Sequence, residues 1–342
     1  MKKIHAPHLN THVVLGGRRR PVAQGPRLKL GDYLRYSLPD PPLACDYASR
    51  AKAALQKMYL NDKYGCCVIA GGYHVVGVET GNATGAPFLA SDAEIEADYG
   101  AIGGFKPDDP STDRGCEIAT ALNYWQEKGF ANGTKLLGAV TVDATDKKLV
   151  QLGQYLFEDT IFGMELPDAW IAGDTTPTSD GFLWDVAGAP NPSNGHCVVG
   201  AGYDSKGITI ATWALVGCLT YEAVAEYAAA KSNGELWIAV TPDQIAKAAL
   251  KAPNGVDWRT LLQDFDDLFG GRVIVPPPPP PVPAPPPPAP PPTPGPTPSG
   301  AGPTLTQATS WIHDSFAHAA GVLTRGHAEQ LARQALTNHW PR

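Results

Sequence analysis

Apolar residues recur at three- and four-residue intervals along much of the first half of this chain, the period of amphipathic helices. Ala51, Ala54 and Leu55 mark one helix within residues 43–60, Ile118, Leu122 and Trp125 another within 113–128, and Leu149, Leu152 and Leu156 a third over 145–157. Ser91 followed by Glu94 is a capping-box pair, in which each side chain satisfies an orphan amide near the other, and it starts a helix through residue 101. A further helix is expected from Cys67 to about residue 78, although the pair Gly71-Gly72 costs it about 1 kcal/mol per glycine relative to alanine. Glycines there let another element approach closely, so helix packing is expected of them rather than a substrate wall.

The pattern then changes to short apolar runs of strand length. Residues 136–142, 160–164, 197–202, 207–213 and 236–240 read as strands, with a helix over 220–230. Asp204-Ser-Lys-Gly207 has the chemistry of a short hairpin connection between two of them. Helices first and strands later is an α+β order, with a site expected between the halves. Residues 1–30, rich in His, Arg, Pro and Gly, read as an extended arm, and 31–270 as the domain.

Beyond it, 271–303 is a linker whose stretch 276–298 is almost entirely Pro, Ala and Thr. Such a run forms polyproline II, a semi-rigid spacer of about 70 Å at ~3.1 Å per residue. Residues 304–342 carry Trp311, Phe316, Leu323, Leu331 and Leu336 and read as a short helical segment, too small to bury a core alone. Docking to a partner, or self-association, is its expected role.

With 43% hydrophobic residues in 342, the chain is large enough for an enzyme core. Its net charge of −7 argues against nucleic acid, and the one basic cluster, Arg18-Arg-Arg20, reads as a solvated arm. No run of about 18 apolar residues and no secretory leader is present, so a soluble, cytoplasmic protein without membrane contact is expected, virion association remaining open. Six cysteines in such a chain read as thiols rather than a disulfide framework.

Two of those thiols sit in the most informative part of the sequence. Asn61-Asp-Lys-Tyr-Gly-Cys-Cys67-Val68 puts a cysteine at a helix start, and Asn194-Gly-His196-Cys-Val-Val-Gly-Ala-Gly-Tyr203 puts an imidazole at a strand start. A neutral thiol is a poor nucleophile; a helix N-terminus and a nearby imidazole together lower its pKa and hold a thiolate-imidazolium pair. His74, two helical turns beyond Cys67 and about 10 Å away, is out of reach as the base and reads as packing. Cys66 is the rival of Cys67. Cys66, Cys67, His196 and Cys197 together keep zinc open as a competing use, although adjacent residues point apart and converge poorly on one ion.

These two stretches resemble the papain-like cysteine peptidases, whose His follows the nucleophilic Cys by on the order of 130 residues. The resemblance extends over about residues 30–270. It implies the papain-like α+β fold, a helical half facing an antiparallel β half, with Cys67 as nucleophile and His196 as base. Asn61 stands where the family has the Gln that joins the Cys backbone N–H in holding the oxyanion, a contribution of about 3 kcal/mol per donor. Ile208-Thr-Ile-Ala-Thr212-Trp213 resembles the stretch that carries the family's orienting Asn, so Thr212 takes that place, with Asp174 or another loop carboxylate as the alternative. The shorter Asn61, Thr212, Val68 in place of Trp, and Ser111-Thr-Asp-Arg-Gly-Cys116 resemble a divergent branch encoded by bacteria and bacteriophages. The activity implied is acyl transfer from a peptide or protein substrate, hydrolysing peptide or isopeptide bonds without a cofactor or metal. The alternative is a structural or binding protein, phage-associated, that keeps the fold with a weak or silent site.

Overall fold

The computed structural model describes residues 1–6, 11–22, 27–35, 38, 40–171, 181–252 and 255–269. The linker, the segment 304–342 and Asp174 lie outside these residues. Helices α1 (Ala48–Leu55), α2 (Cys67–Thr84), α3 (Asp92–Gly103) and α4 (Ile118–Glu127) come first. Strands β4 (Gly138–Thr141), β5 (Thr160–Glu165), β7 (Gly195–Tyr203), β8 (Gly207–Thr212), β9 (Leu215–Thr220) and β10 (Glu235–Val240) follow, with α5 (Lys147–Phe157) and α6 (Tyr221–Tyr227) between them. The α+β class read from the sequence is the class of the structure.

The sheet runs in the order β4-β10-β5-β7-β8-β9-β6, where β6 (Leu183–Trp184) pairs in parallel with β9 and the other neighbours are antiparallel. A short β3 (Cys45–Asp46) adds to β7. Successive residues of a strand point to opposite faces, and here both faces are covered. Ile161, Val199, Trp237 and Ala239 pack with α2 and α4, whereas Phe162, Val198, Leu236 and Ile238 pack into the core on the other side. This is why the central strands are nearly continuous apolar runs.

Helix α2 is buried almost all round, and that is how it carries its glycines. A Cβ at Gly71 would lie 3.0 Å from Cys197 Sγ, and one at Gly72 would lie 2.6 Å from the Phe130 ring, so both glycines are packing positions. The helix runs six residues past its expected end, to Gly85 in the left-handed conformation at φ 79°. The close seating of Gly71 on Cys197 brings the start of α2 to the start of β7.

Several elements differ from the sequence reading. The first helix is confined to Ala48–Leu55, and the stripe at Ile118 is helical only from that residue. Two helices that the periodicity did not mark follow the strand at 236–240: α7 (Pro242–Lys251), opened by a Thr241/Gln244 capping box, and α8 (Trp258–Phe269) pack behind the sheet. Most consequential is the N-terminus. Residues of the arm form a hairpin, β1 (Lys2–Ala6) with β2 (Thr11–Leu15), and continue into the interior. Arg18 is 2% exposed, so its reading as part of a solvated cluster is corrected: the buried carboxylate of Glu235 partners its guanidinium and offsets part of the cost of desolvation.

Candidate active site

The loop before α2 is shaped by Tyr59 and Leu60, both at positive φ (47° and 64°), which turn the chain so that Asn61 N–H donates to Met58 O at 3.1 Å. Cys66 and Cys67 then point in different directions. Cys66 faces inward, its thiol donating to Tyr59 O at 3.3 Å, while Cys67, the first residue of α2, faces β7. No side chain caps the helix, so its first amides are available to other acceptors. The backbone N–H groups of Cys197, Val68 and Cys67 itself all favour its thiolate, as does the charge of Arg18, but burial dominates and pushes the thiol up to about 12.

Cys197 follows His196, and a Cβ at Gly71 would lie 3.0 Å from its sulfur, so the first turns of α2 lie against the start of β7. His196 is 1% exposed and its Nε2 lies 2.7 Å from Thr212 Oγ1, at the end of β8. Its other nitrogen, Nδ1, is buried without a hydrogen-bond partner. Trp213 stacks on the imidazole at 4.6 Å between centroids. To do so it stands outside the strand expected for it, in a two-residue turn with Ala214, at φ 48° and 63°. Positive φ at two non-glycine residues is a cost of order 1–3 kcal/mol each, borne here beside the ring that the turn positions. Burial lowers the His196 pKa to about 3. Burial thus favours the neutral form of both groups.

Asn61 is in the same loop as the nucleophile candidate, yet its amide is turned back on that loop. Nδ2 donates to Met58 O at 2.9 Å, Oδ1 is buried without a partner, and the backbone carbonyl accepts from Val14 N–H at 2.9 Å. An amide nitrogen carries two hydrogens, and Met58 takes one. His74 lies elsewhere, its ring tilted against that of Tyr59 at 4.8 Å between centroids, with its pKa lowered to about 4 by burial. Among the described residues no three His, Cys, Asp or Glu side chains gather as metal ligands would.

What buries the site is the chain's own arm. Gly16 N–H and Arg18 N–H donate to Gly195 O at 2.9 and 3.4 Å, Cys116 N–H donates to Gly17 O at 3.0 Å, and Arg19 N–H donates to Cys116 O at 3.0 Å. The segment thus bridges Cys116, before α4, and Gly195, before His196, pairing in parallel with Cys116. Gly17 passes so close to the loop before Cys67 that a Cβ on it would lie 2.4 Å from Gly65 O. The sequence reading did not assign Arg18, Cys116, Gly195 or Glu235 to the site. Three consecutive arginines in an acidic chain were the available signal, since each one meets a different glutamate: Arg18 Glu235, Arg19 Glu117 and Arg20 Glu165.

No family model and no curated protein matches the sequence. Similar chains occur among solved structures. Xylellain, a cysteine protease from Xylella fastidiosa, is 14% identical with a TM-score of 0.47, the match covering 66% of this chain and 96% of that one. Procathepsin L 3 of the Tenebrio molitor larval midgut is 13% identical with a TM-score of 0.45, over 66% and 76%. The cysteine protease and lectin-like domains of Cwp84, a surface-layer-associated protein of Clostridium difficile, are 9% identical with a TM-score of 0.40, over 60% and 53%. At such identities what the chain does has to be read from its own site. The structures it is similar to are papain-like cysteine proteases, the group its two motifs resemble.

Proposed function

We propose that the chain is a papain-like cysteine hydrolase of peptide or isopeptide bonds, resting with its arm across the site. What supports the reading is that Cys67 opens α2 where that helix seats on Cys197, the residue after His196, whose Nε2 lies 2.7 Å from Thr212 Oγ1 and whose Nδ1 has no partner among the described residues. Nδ1 is then the nitrogen free to take the thiol proton. When the arm leaves, water and substrate replace it. The desolvation that holds both groups neutral is relieved, and the helix start and the Cys197 amide favour the thiolate.

The steps are those of acyl transfer. Cys67 loses its proton to His196 Nδ1, its sulfur attacks the carbonyl carbon, and the oxyanion takes N–H groups at the start of α2, with Asn61 Nδ2 joining once it swings from Met58. The imidazolium returns the proton to the leaving amine, and water, deprotonated by His196, releases the acyl group. Thr212 acts as a positioning residue for the ring.

The second reading, a binding or structural protein on this fold, is favoured by the inward turn of the Asn61 amide. Both are tested on full-length protein with the arm displaced by Gly17→Ala. Labelling of Cys67 by a peptidyl epoxide, lost on His196→Ala, supports the hydrolase. Iodoacetamide reactivity equal to that of free cysteine, and unchanged by His196→Ala, favours the silent scaffold.

A further inference from the structure

Arg18 enters a pocket whose parts are held in place without it. Its Nε and Nη2 donate to one oxygen of Glu235, Oε1, at 3.1 and 2.7 Å, and Nη2 also donates to Asn233 O at 2.7 Å. The second oxygen of Glu235 is fixed independently, by Trp237 Nε1 at 2.8 Å and by Arg27 at 3.8 Å, whose guanidinium lies over the Trp237 ring. Asn233 stands at φ 54°, and its carbonyl is an acceptor for the guanidinium. The space exists because residue 163 has no side chain. A Cβ on Gly163 would lie 2.7 Å from Ile118 Cδ1 and 2.8 Å from both Arg18 Nε and Glu235 Cγ. The pocket lies next to Cys197, since Gly163 pairs with Cys197 across β5 and β7, and Cys197 in turn seats on Gly71, one turn into the helix that Cys67 opens.

A preset carboxylate with one oxygen available, a backbone carbonyl, an apolar wall at Ile118 and a glycine floor suit a guanidinium by charge and by two of its nitrogens, Nη1 being left buried without a partner among the described residues. We propose that this pocket is the specificity site for substrate: it takes an arginine side chain close to the bond that is cleaved, and Arg18 is its resting occupant. The inference rests on the acyl-transfer reading of Cys67 and His196 for the word substrate, and on the pocket alone for the word arginine. Glu117 and Glu165, which face Arg19 and Arg20, extend the preference to basic segments.

Full-length Arg18→Ala vacates the pocket while Arg27 still partners Glu235. N-acetyl-arginine amide is expected to raise its melting temperature, and the citrulline amide, equal in shape but uncharged, is expected not to. Adding Glu235→Gln is expected to erase the arginine effect. Peptidyl acyloxymethyl ketones bearing arginine are expected to label Cys67 faster than their citrulline counterparts by about tenfold or more, since a site built around a donor rejects analogues that lack it. Equal effects of the two amides, or an arginine preference that survives Glu235→Gln, overturns the pocket. If neither ketone labels Cys67 while the arginine amide binds in a Glu235-dependent way, the pocket stands and the hydrolase reading falls. Should Arg18→Ala fail to fold, Gly17→Ala, which lifts the arm with Arg18 intact, carries the same comparison.

Discussion

The Nε2 atom of His196 lies 2.7 Å from the hydroxyl of Thr212, so a side chain sixteen positions later fixes the ring of the candidate base. A hydroxyl bond of this kind contributes about 1 kcal/mol net, against more for a charged or amide partner. In the Gly17→Ala background, Thr212→Val, which keeps the shape and removes the hydroxyl, is therefore expected to slow epoxide labelling of Cys67 about fivefold, and Thr212→Ser to restore most of the rate. Labelling by a small alkylating agent that needs no imidazole should hardly change. If Thr212→Val labels as fast as the parent, the ring is held by Trp213 alone.

Gly17 and Gly65 approach so closely that any side chain at 17 must move one of them. Gly17→Ala is expected to displace the arm and to leave the helix and sheet cores intact, because the contact is backbone to backbone at the groove. Burial holds the Cys67 thiol up to about 12, and each unit by which that value falls raises the thiolate fraction about tenfold. Iodoacetamide kinetics at pH 8 measure this directly. The variant should react at least about tenfold faster than the parent. Equal rates would mean that the arm does not control access to Cys67.

Much of this arrangement is legible before any coordinates. Periodicity locates α5, the Ser91 cap and the strands around His196, because each is a local pattern whose burial in the fold agrees with its sequence. Gly71-Gly72 also reads correctly, since a buried helix can use glycine where a neighbour comes close. What escapes is non-local. Nothing near Arg18 announces Glu235, 217 residues away, and an Arg triplet at a chain start ordinarily stays in water. The turn at Trp213-Ala214 escapes for a related reason: its positive φ values contradict local preference and are supported by the stacking on His196. The helices after the strand 236–240 carry no reading, although Thr241 and Gln244 form a capping box that marks the start of the first of them.

Adjacent cysteines at a helix start give an internal control. Cys66 is buried with its thiol on Tyr59 O, while Cys67 meets the Cys197 amide. In the Gly17→Ala background, Cys67→Ala should abolish epoxide labelling and Cys66→Ala should leave the label in place. Cys66→Ala should instead cost stability, about 1–2 kcal/mol for a filled core site that loses a sulfur, read as a lower denaturation midpoint. Peptide mapping that finds the label on Cys66 would reverse the assignment.

On the side of the fold away from the arm, two carboxyl groups are buried together. Glu79 in α2 and Asp159 before β5 each have an oxygen without a hydrogen-bond partner, and Gln244 Nε2 donates to the other oxygen of Asp159 at 3.0 Å. Burial, only partly offset by Thr241 and Lys247, raises the Glu79 pKa to about 8, and burial together with Glu79 raises that of Asp159. Both groups are thus protonated in the folded chain at a pH where the unfolded chain has lost those protons. The folded state binds more protons than the unfolded one above the ordinary carboxyl value, so stability falls as the pH rises. For Glu79 the window opens near pH 4.5 and closes near pH 8, with a slope of about 1.4 kcal/mol per pH unit for one proton. Glu79→Gln keeps the size and the hydrogen-bonding capacity and removes this titration. Its melting temperature is expected to match the parent at pH 5 and to exceed it increasingly up to pH 8, after which the gap is constant. Parallel pH profiles for the two proteins would show that Glu79 ionises at its ordinary value, and that the helix it stands on tolerates its charge.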